Sequence, residues 1–116
     1  ALGAQMARPP QPPDIEAEIT YLSSEAGGKK NSVRSGYRPT HDFGVEGMFN
    51  DAHHEYEVES VAPGETAMAQ LWLLAPEYTS CDAYFQASGL RIHEGPHLVA
   101  HGVIVNVINQ SLAVRA

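Results

Sequence analysis

The stretch that decides the fold is Ile15-Glu-Ala-Glu-Ile-Thr-Tyr21, which is followed shortly afterwards by the paired glycines Gly27-Gly28. In this stretch apolar side chains alternate with glutamates and a threonine, so an extended chain presents one apolar face and one polar face. Such alternation predicts a β-strand with one side packed on a core and the other in water. The glycine pair predicts a turn after the strand. The pattern favours an all-β protein.

The rest of the chain continues in the same way. Pro39 holds the residue before it in an extended conformation, and Pro63-Gly64 and Glu94-Gly95-Pro96 predict turns between strands. About six antiparallel strands with apolar side chains on both faces in places favour a single closed β-barrel, because closure removes exposed edge strands. Besides the first, strands are predicted near residues 36–43, 55–60, 65–74, 85–93 and 97–108.

Length and composition indicate one globular domain. The chain has 116 residues, of which 43% are hydrophobic and 18% charged. We expect a disordered, proline-rich leader over residues 1–13, the barrel over 14–110 and a tail over 111–116. No apolar run is long enough for a membrane helix. Cys81 is the single cysteine, so no internal disulfide can form, which fits a cytoplasmic protein.

The charges are unevenly distributed. The net charge is −7, yet four of the seven basic residues fall within ten positions. An acidic chain is a poor non-specific binder of nucleic acid, because phosphate contacts supply most of that affinity. A local basic patch can still orient a partner, although a solvated loop explains the same residues. The four are Lys29, Lys30, Arg34 and Arg38.

Two short motifs resemble catalytic signatures, and both fail on physical grounds. Residues 93–97 read His-Glu-Gly-Pro-His and match the zinc-protease pattern, but that pattern requires a helix, and Pro96 inside one costs about 3 kcal/mol. We interpret His93, His97 and the pair His53-His54 as ordinary surface and strand histidines. An incidental metal contact by some of them is the weaker alternative. Residues 28–32 lack the first glycine and the following helix of a phosphate loop. We therefore expect no enzyme activity, catalytic residue, cofactor, small-molecule substrate or metal site.

Several signatures occur in a characteristic order. They are Glu16-Ala-Glu-Ile-Thr-Tyr-Leu-Ser-Ser-Glu-Ala-Gly-Gly28, Ser35-Gly-Tyr-Arg-Pro39, Pro63-Gly-Glu65, and Ile92-His-Glu-Gly95 followed by Leu98-Val-Ala-His-Gly102. Over residues 14–109 the chain resembles the third, C-terminal β-barrel domain of elongation factor Tu. That domain holds the T-stem of aminoacyl-tRNA and packs against the factor's GTPase domain. The resemblance therefore implies a translation-associated binding module without a GTPase of its own.

The resemblance also implies where a partner would bind. Lys29 and Lys30 match the family's basic pair and can meet backbone phosphate, and Glu94 with Gly95 matches its tRNA-contacting hairpin. Thr40 replaces a glutamine, and His93 replaces an arginine with the loss of a permanent charge. Between Thr40 and Gly47 the chain lacks an arginine and two threonines of the family, which puts binding of the parental kind in question.

The predicted site is therefore the loop 29–38 with the hairpin 93–97, and the partner is aminoacyl-tRNA, a translation factor or a GTPase domain in trans. The residues assigned to it are Lys29, Lys30, Arg34, Arg38, Thr40, Glu94 and Gly95. The alternative is an acidic protein–protein module that has lost tRNA binding. A metal-dependent hydrolase is the third hypothesis. The sequence leaves the oligomeric state open.

Overall fold

A computed structural model of the chain describes residues 8–44, 49–75 and 89–113. Within these ranges the chain forms a closed antiparallel barrel of six strands in the order β1-β4-β3-β2-β5-β6, followed by one helical turn. The all-β barrel predicted from the sequence is thus confirmed. Among the described residues, no helix is long and apolar enough to cross a membrane. The elements are β1 Ile15–Tyr21, β2 Thr40–Asp42, β3 Phe49–Tyr56, β4 Thr66–Leu73, β5 Gly89–Glu94, β6 His97–Val107 and α1 Gln110–Ala113.

Strand β1 closes the barrel, because it pairs with β4 on one side and with β6 on the other. Its alternation has the predicted result: Ile15, Ala17, Ile19 and Tyr21 are buried, while the intervening side chains face outward. A register shift between Glu16 and Ala17 bends the pairing with β6, as a bulge does in a curved sheet.

Two predicted strands differ from the observed ones. Residues 55–60 were expected to form a strand, but β3 ends at Tyr56 and Val58 is 52% exposed. The inward side chains of β3 include Asn50 and His54, so its burial does not follow apolar alternation. Strand β2 is also shorter than the expected residues 36–43. The segment before it still bonds to β3, with the Gly36 amide donating to the His54 carbonyl at 2.8 Å.

The predicted turns are present. The β5–β6 hairpin turns at Gly95, whose φ of +60° lies in the left-handed region. Gly64, with a φ of +88°, turns the chain before β4. The motif His-Glu-Gly-Pro-His therefore lies in a hairpin, with Glu94 paired to His97 across it.

At the end of the barrel away from the turns at Gly64 and Gly95, Asp14 bonds to neighbouring segments. Its carboxylate accepts from the Leu73 amide at 2.7 Å and from the Asn109 side chain at 2.7 Å, and its carbonyl accepts from the Ile108 amide. Leu112 in α1 is buried in the core cluster, so core packing continues past residue 110. Predictions that fall on residues 1–7, 45–48, 76–88 and 114–116 lie outside the described residues. They include Cys81, the start of the fifth predicted strand and the end of the predicted tail.

Candidate macromolecular interface at one end of the barrel

Three connections meet at the same end of the barrel, because neighbouring strands alternate in direction. They are the β1–β2 loop 22–39, the β3–β4 loop 57–65 and the β5–β6 turn 95–96, which we call the rim. The two loops are bonded to each other through Val33 and Val61, whose amides donate to each other's carbonyls at 2.9 Å. The rim is therefore one connected surface.

A charged contact joins the first loop to the hairpin. Lys29 Nζ lies 2.6 Å from Glu94 Oε2, and the Tyr37 hydroxyl donates to the same oxygen at 2.5 Å. Lys29 Nζ also lies 5.5 Å from the centroid of the Tyr37 ring, within cation–π range. The bond from Lys29, followed by that from Tyr37, lowers the pKa of Glu94. Burial, followed by the bond to Glu94, raises the pKa of Tyr37 above its usual range.

The remaining predicted residues divide into two groups. Lys30, Arg34 and Arg38 are exposed on the same loop as Lys29. Thr40 instead donates from Oγ1 to Asp51 Oδ1 at 2.7 Å on the barrel wall. The structure thus brings Lys29, Glu94 and Gly95 together, whereas Thr40 is engaged by an acidic residue of β3.

Acidic side chains share the rim with these cations. The loop 57–65 carries Glu57, Glu59 and Glu65, all exposed. Because this loop is bonded to the cationic loop through Val33 and Val61, the rim presents both signs of charge side by side. A mixed surface of this kind suits a partner with complementary charges of both signs better than a uniformly negative one.

A chain of polar side chains runs through the barrel interior beneath the rim. The Tyr21 and Tyr56 hydroxyls are hydrogen-bonded to each other, and the Tyr56 hydroxyl lies 2.8 Å from His54 Nδ1. His54 Nε2 lies 2.8 Å from His41 Nε2, and His41 Nδ1 lies 3.1 Å from the Asn50 carbonyl. This chain links side chains of β1, β2 and β3.

With both imidazoles neutral, one arrangement of protons satisfies the whole chain. The Asn50 carbonyl can only accept, so His41 carries its proton on Nδ1 and accepts at Nε2. His54 then donates from Nε2 and accepts at Nδ1 from the Tyr56 hydroxyl. Tyr56 in turn accepts from Tyr21. All these donors point the same way from Tyr21 to Asn50, so a second proton on either imidazole would require the donors on its Tyr21 side to reverse direction.

The surroundings of the pair oppose such a proton. Burial lowers the pKa of His41 to about 4, against a smaller opposing contribution from the bond to Asn50. Burial, followed by the proximity of His41, lowers the pKa of His54 well below its usual value. Desolvation also raises the pKa of Tyr21 and Tyr56 above the usual tyrosine range. The hydrogen-bonded side chains from Tyr21 to His41 are therefore an uncharged structural network at physiological pH.

The histidines of the β5–β6 hairpin are not placed on one helix face, as the zinc-protease motif requires. His93 and His97 lie on opposite strands of the β5–β6 hairpin instead of one turn apart on a helix. His97 Nε2 donates to the Gly27 carbonyl at 2.5 Å. In the described parts of the chain, no group of three or more histidine, cysteine or acidic side chains is arranged to hold a metal ion.

The sequence did not predict the roles of several residues in this region. Tyr37 appeared only as part of the Gly-Tyr-Arg-Pro signature, with no sign that it bonds Glu94. His41, and the division of the pair His53-His54 into an outward and an inward side chain, depend on the register of β3 against β4. A polar residue at an inward position of a strand is the one signal available, and it requires the correct strand boundaries first.

A scan against protein-family models finds no model that matches this chain.

Proposed function

We propose that this chain is a non-catalytic, cytoplasmic binding module of the kind found as the third domain of elongation factor Tu, and that its rim binds a translation factor. The observation that carries the proposal is the contact of Lys29 and Tyr37 with Glu94. It joins the two segments that the family resemblance implicates into one ordered surface.

The charge of the rim favours a protein as that partner. Lys29 is paired with Glu94, so its charge is partly neutralised. The exposed cations Lys30 and Arg34 lie on the loop that is bonded through Val33 to the loop 57–65 with its three exposed glutamates, whereas Arg38 lines a cavity on the wall with His53 and Trp72. A nucleic acid backbone is repelled by those glutamates, whereas a protein surface can match both signs.

The test is binding of the purified chain to the isolated GTPase domain of elongation factor Tu, measured by calorimetry. We expect a complex that weakens when Lys30→Glu and Arg34→Glu are combined. Glu18→Gln, a charge change on the exposed wall of β1, serves as the control and leaves binding unchanged. Absence of binding by the unaltered chain, or equal binding by both variants, contradicts the proposal.

Aminoacyl-tRNA is the second candidate, favoured by the three exposed cations on one loop. If these cations contact phosphates, the logarithm of affinity falls with the logarithm of salt concentration with a slope of about −2 to −3. Filter binding at several salt concentrations measures that slope. Lys30→Glu with Arg34→Glu is expected to abolish binding and Glu18→Gln to retain it. A flat salt dependence excludes this candidate.

A further inference from the structure

Trp72 is buried although it lies on the outer wall of the barrel. It is the chain's sole tryptophan, and it is 5% exposed. On one side it pairs with His53 of β3, whose ring packs edge-on at a centroid distance of 5.7 Å. His53 Nε2 in turn lies 2.6 Å from Glu55 Oε2. An aromatic ring, an imidazole and a carboxylate thus stand side by side, and we call them the Trp72 groove.

The chain's own proline-rich segment Arg8-Pro-Pro-Gln-Pro-Pro13 occupies this groove. The Trp72 indole N–H donates to the Gln11 carbonyl at 2.7 Å. The Arg8 guanidinium carbon lies 5.7 Å from the Trp72 ring centroid, and one of its nitrogens lies 3.9 Å from Glu55 Oε1. The segment therefore meets the groove through a carbonyl, a cation over the ring and an ion pair.

These contacts use the properties that make proline-rich segments good ligands. Proline fixes φ and lacks an amide hydrogen, so such a segment loses little entropy on binding and leaves its carbonyls without chain partners. Aromatic grooves with an N–H donor recognise them for that reason. Gln11 stands between prolines, and its carbonyl accepts the hydrogen bond that the Trp72 indole donates.

The charge beside the groove exceeds what the resident segment neutralises. A cavity of about 180 Å³ adjoins Arg8 and is lined also by Met68 and three glutamates. Arg8 is the one cation among its described lining residues, and its side chain is 60% exposed. The cavity therefore has room and negative charge for a second basic side chain. The glutamates are Glu16, Glu55 and Glu57.

We propose that the Trp72 groove is a docking site for a proline-rich segment of a partner protein that carries two adjacent basic residues, and that residues 8–13 are its resident occupant. The tethered segment acts at an effective concentration of the order of millimolar. A ligand in trans displaces it because the second basic residue uses the acidic cavity that Arg8 leaves unfilled. This groove lies on the wall of the barrel, where it shares Glu57 with the loop 57–65 and has Arg38 beside Trp72 and His53 in a neighbouring cavity. The variants and peptides that test it therefore leave Lys29, Lys30 and Arg34 of the rim unchanged.

The test uses the 116-residue chain with residues 8–12 replaced by glycine and serine, which opens the groove without altering its wall. Trp72 fluorescence is expected to shift toward that of an exposed indole. Adding a synthetic peptide with the sequence of residues 7–13 reverses the shift. A peptide with arginine in place of Ala7 binds more tightly, and one with glutamate in place of Arg8 binds about fivefold more weakly. In the unaltered chain, where residues 8–13 occupy the groove, the two-arginine peptide is expected to displace this segment and the glutamate peptide is not.

Two variants of the wall separate recognition from stability. Glu55→Gln keeps the shape of the groove and is expected to lower peptide affinity about fivefold by calorimetry. Trp72→Phe removes the indole donor and lowers it by about fivefold to tenfold. Unchanged fluorescence in the glycine–serine chain, or equal affinity for all three peptides, overturns the proposal. Concentration-dependent dimerisation of the unaltered chain that changes Trp72 fluorescence overturns it in favour of a second copy as the occupant.

Discussion

His41 and His54 face each other inside the barrel through Nε2 atoms 2.8 Å apart, and both are fully buried. A buried imidazole is tolerated when it is neutral and hydrogen-bonded, and the directed chain from Tyr21 to Asn50 supplies both conditions. Replacement of these hydrogen-bonded side chains by apolar ones of similar shape need not destabilise the barrel. Removal of one of them alone leaves its neighbours without a hydrogen-bond partner. At the residue scale the pair makes folding sensitive to protons.

The stability of the barrel is expected to fall as pH decreases below about 6.5. Between that value and the pKa of His41 near 4, the unfolded chain binds a proton that the folded chain excludes, so the free energy of unfolding rises with pH. Each such histidine contributes a slope of about 1.4 kcal/mol per pH unit in this window. Urea midpoints from pH 4 to 8 measure it.

The control for this effect is His101, one of two exposed histidines of β6. His101→Asn is expected to retain this slope, because it leaves the buried pair of His41 and His54 intact. His41→Gln lowers stability at pH 8 and reduces the slope below pH 6.5. A slope that is the same in the unaltered chain and in His41→Gln contradicts the neutral pair.

At the scale of elements, the turns differ in how strictly they require glycine. Gly95 has a φ of +60°, and a Cβ added there would meet nothing within 4 Å. A Cβ on Gly28 would lie 2.3 Å from the Leu22 carbonyl oxygen, which is backbone and cannot move independently. The position just before Lys29 in its loop therefore has no room for a side chain.

Substitution by alanine is expected to separate these two glycines. Gly95→Ala costs about 1 kcal/mol, since only the left-handed conformation opposes it. Gly28→Ala costs about 3 kcal/mol, because the loop must shift to relieve the clash. Urea denaturation of both variants gives the difference. Equal destabilisation by both would mean that the loop yields without strain.

At the scale of the whole molecule, the barrel depends on β1, because this strand bonds to both β4 and β6. Ile19 at its centre is fully buried in the core cluster. A sheet closed in this way has no free edge among the described strands. Loss of packing in β1 therefore affects both neighbouring strands together.

Truncation of this core is expected to destabilise the entire barrel in one transition. Ile19→Ala removes buried methyl groups and costs about 2–5 kcal/mol, a large share of the about 5–15 kcal/mol that holds a domain of this size folded. Val103→Ala, at a side chain 50% exposed on β6, changes stability by about 0.5 kcal/mol or less. Chemical denaturation followed by circular dichroism and by Trp72 fluorescence should give coincident transitions. Separate transitions would show that the barrel opens in parts.

The amino-acid sequence by itself determined β1, the hairpin at Gly95 and the turn at Gly64, because these features follow from period-two alternation and from backbone preferences of nearby residues. Only the tertiary structure decided where β3 lies, since its inward side chains include asparagine and histidine and hide the apolar pattern. The same holds for the rim contact between Lys29 and Glu94, whose partners are 65 residues apart. Closure of the barrel brings such residues together, and no local pattern encodes the distance between strands that meet only when the sheet is complete.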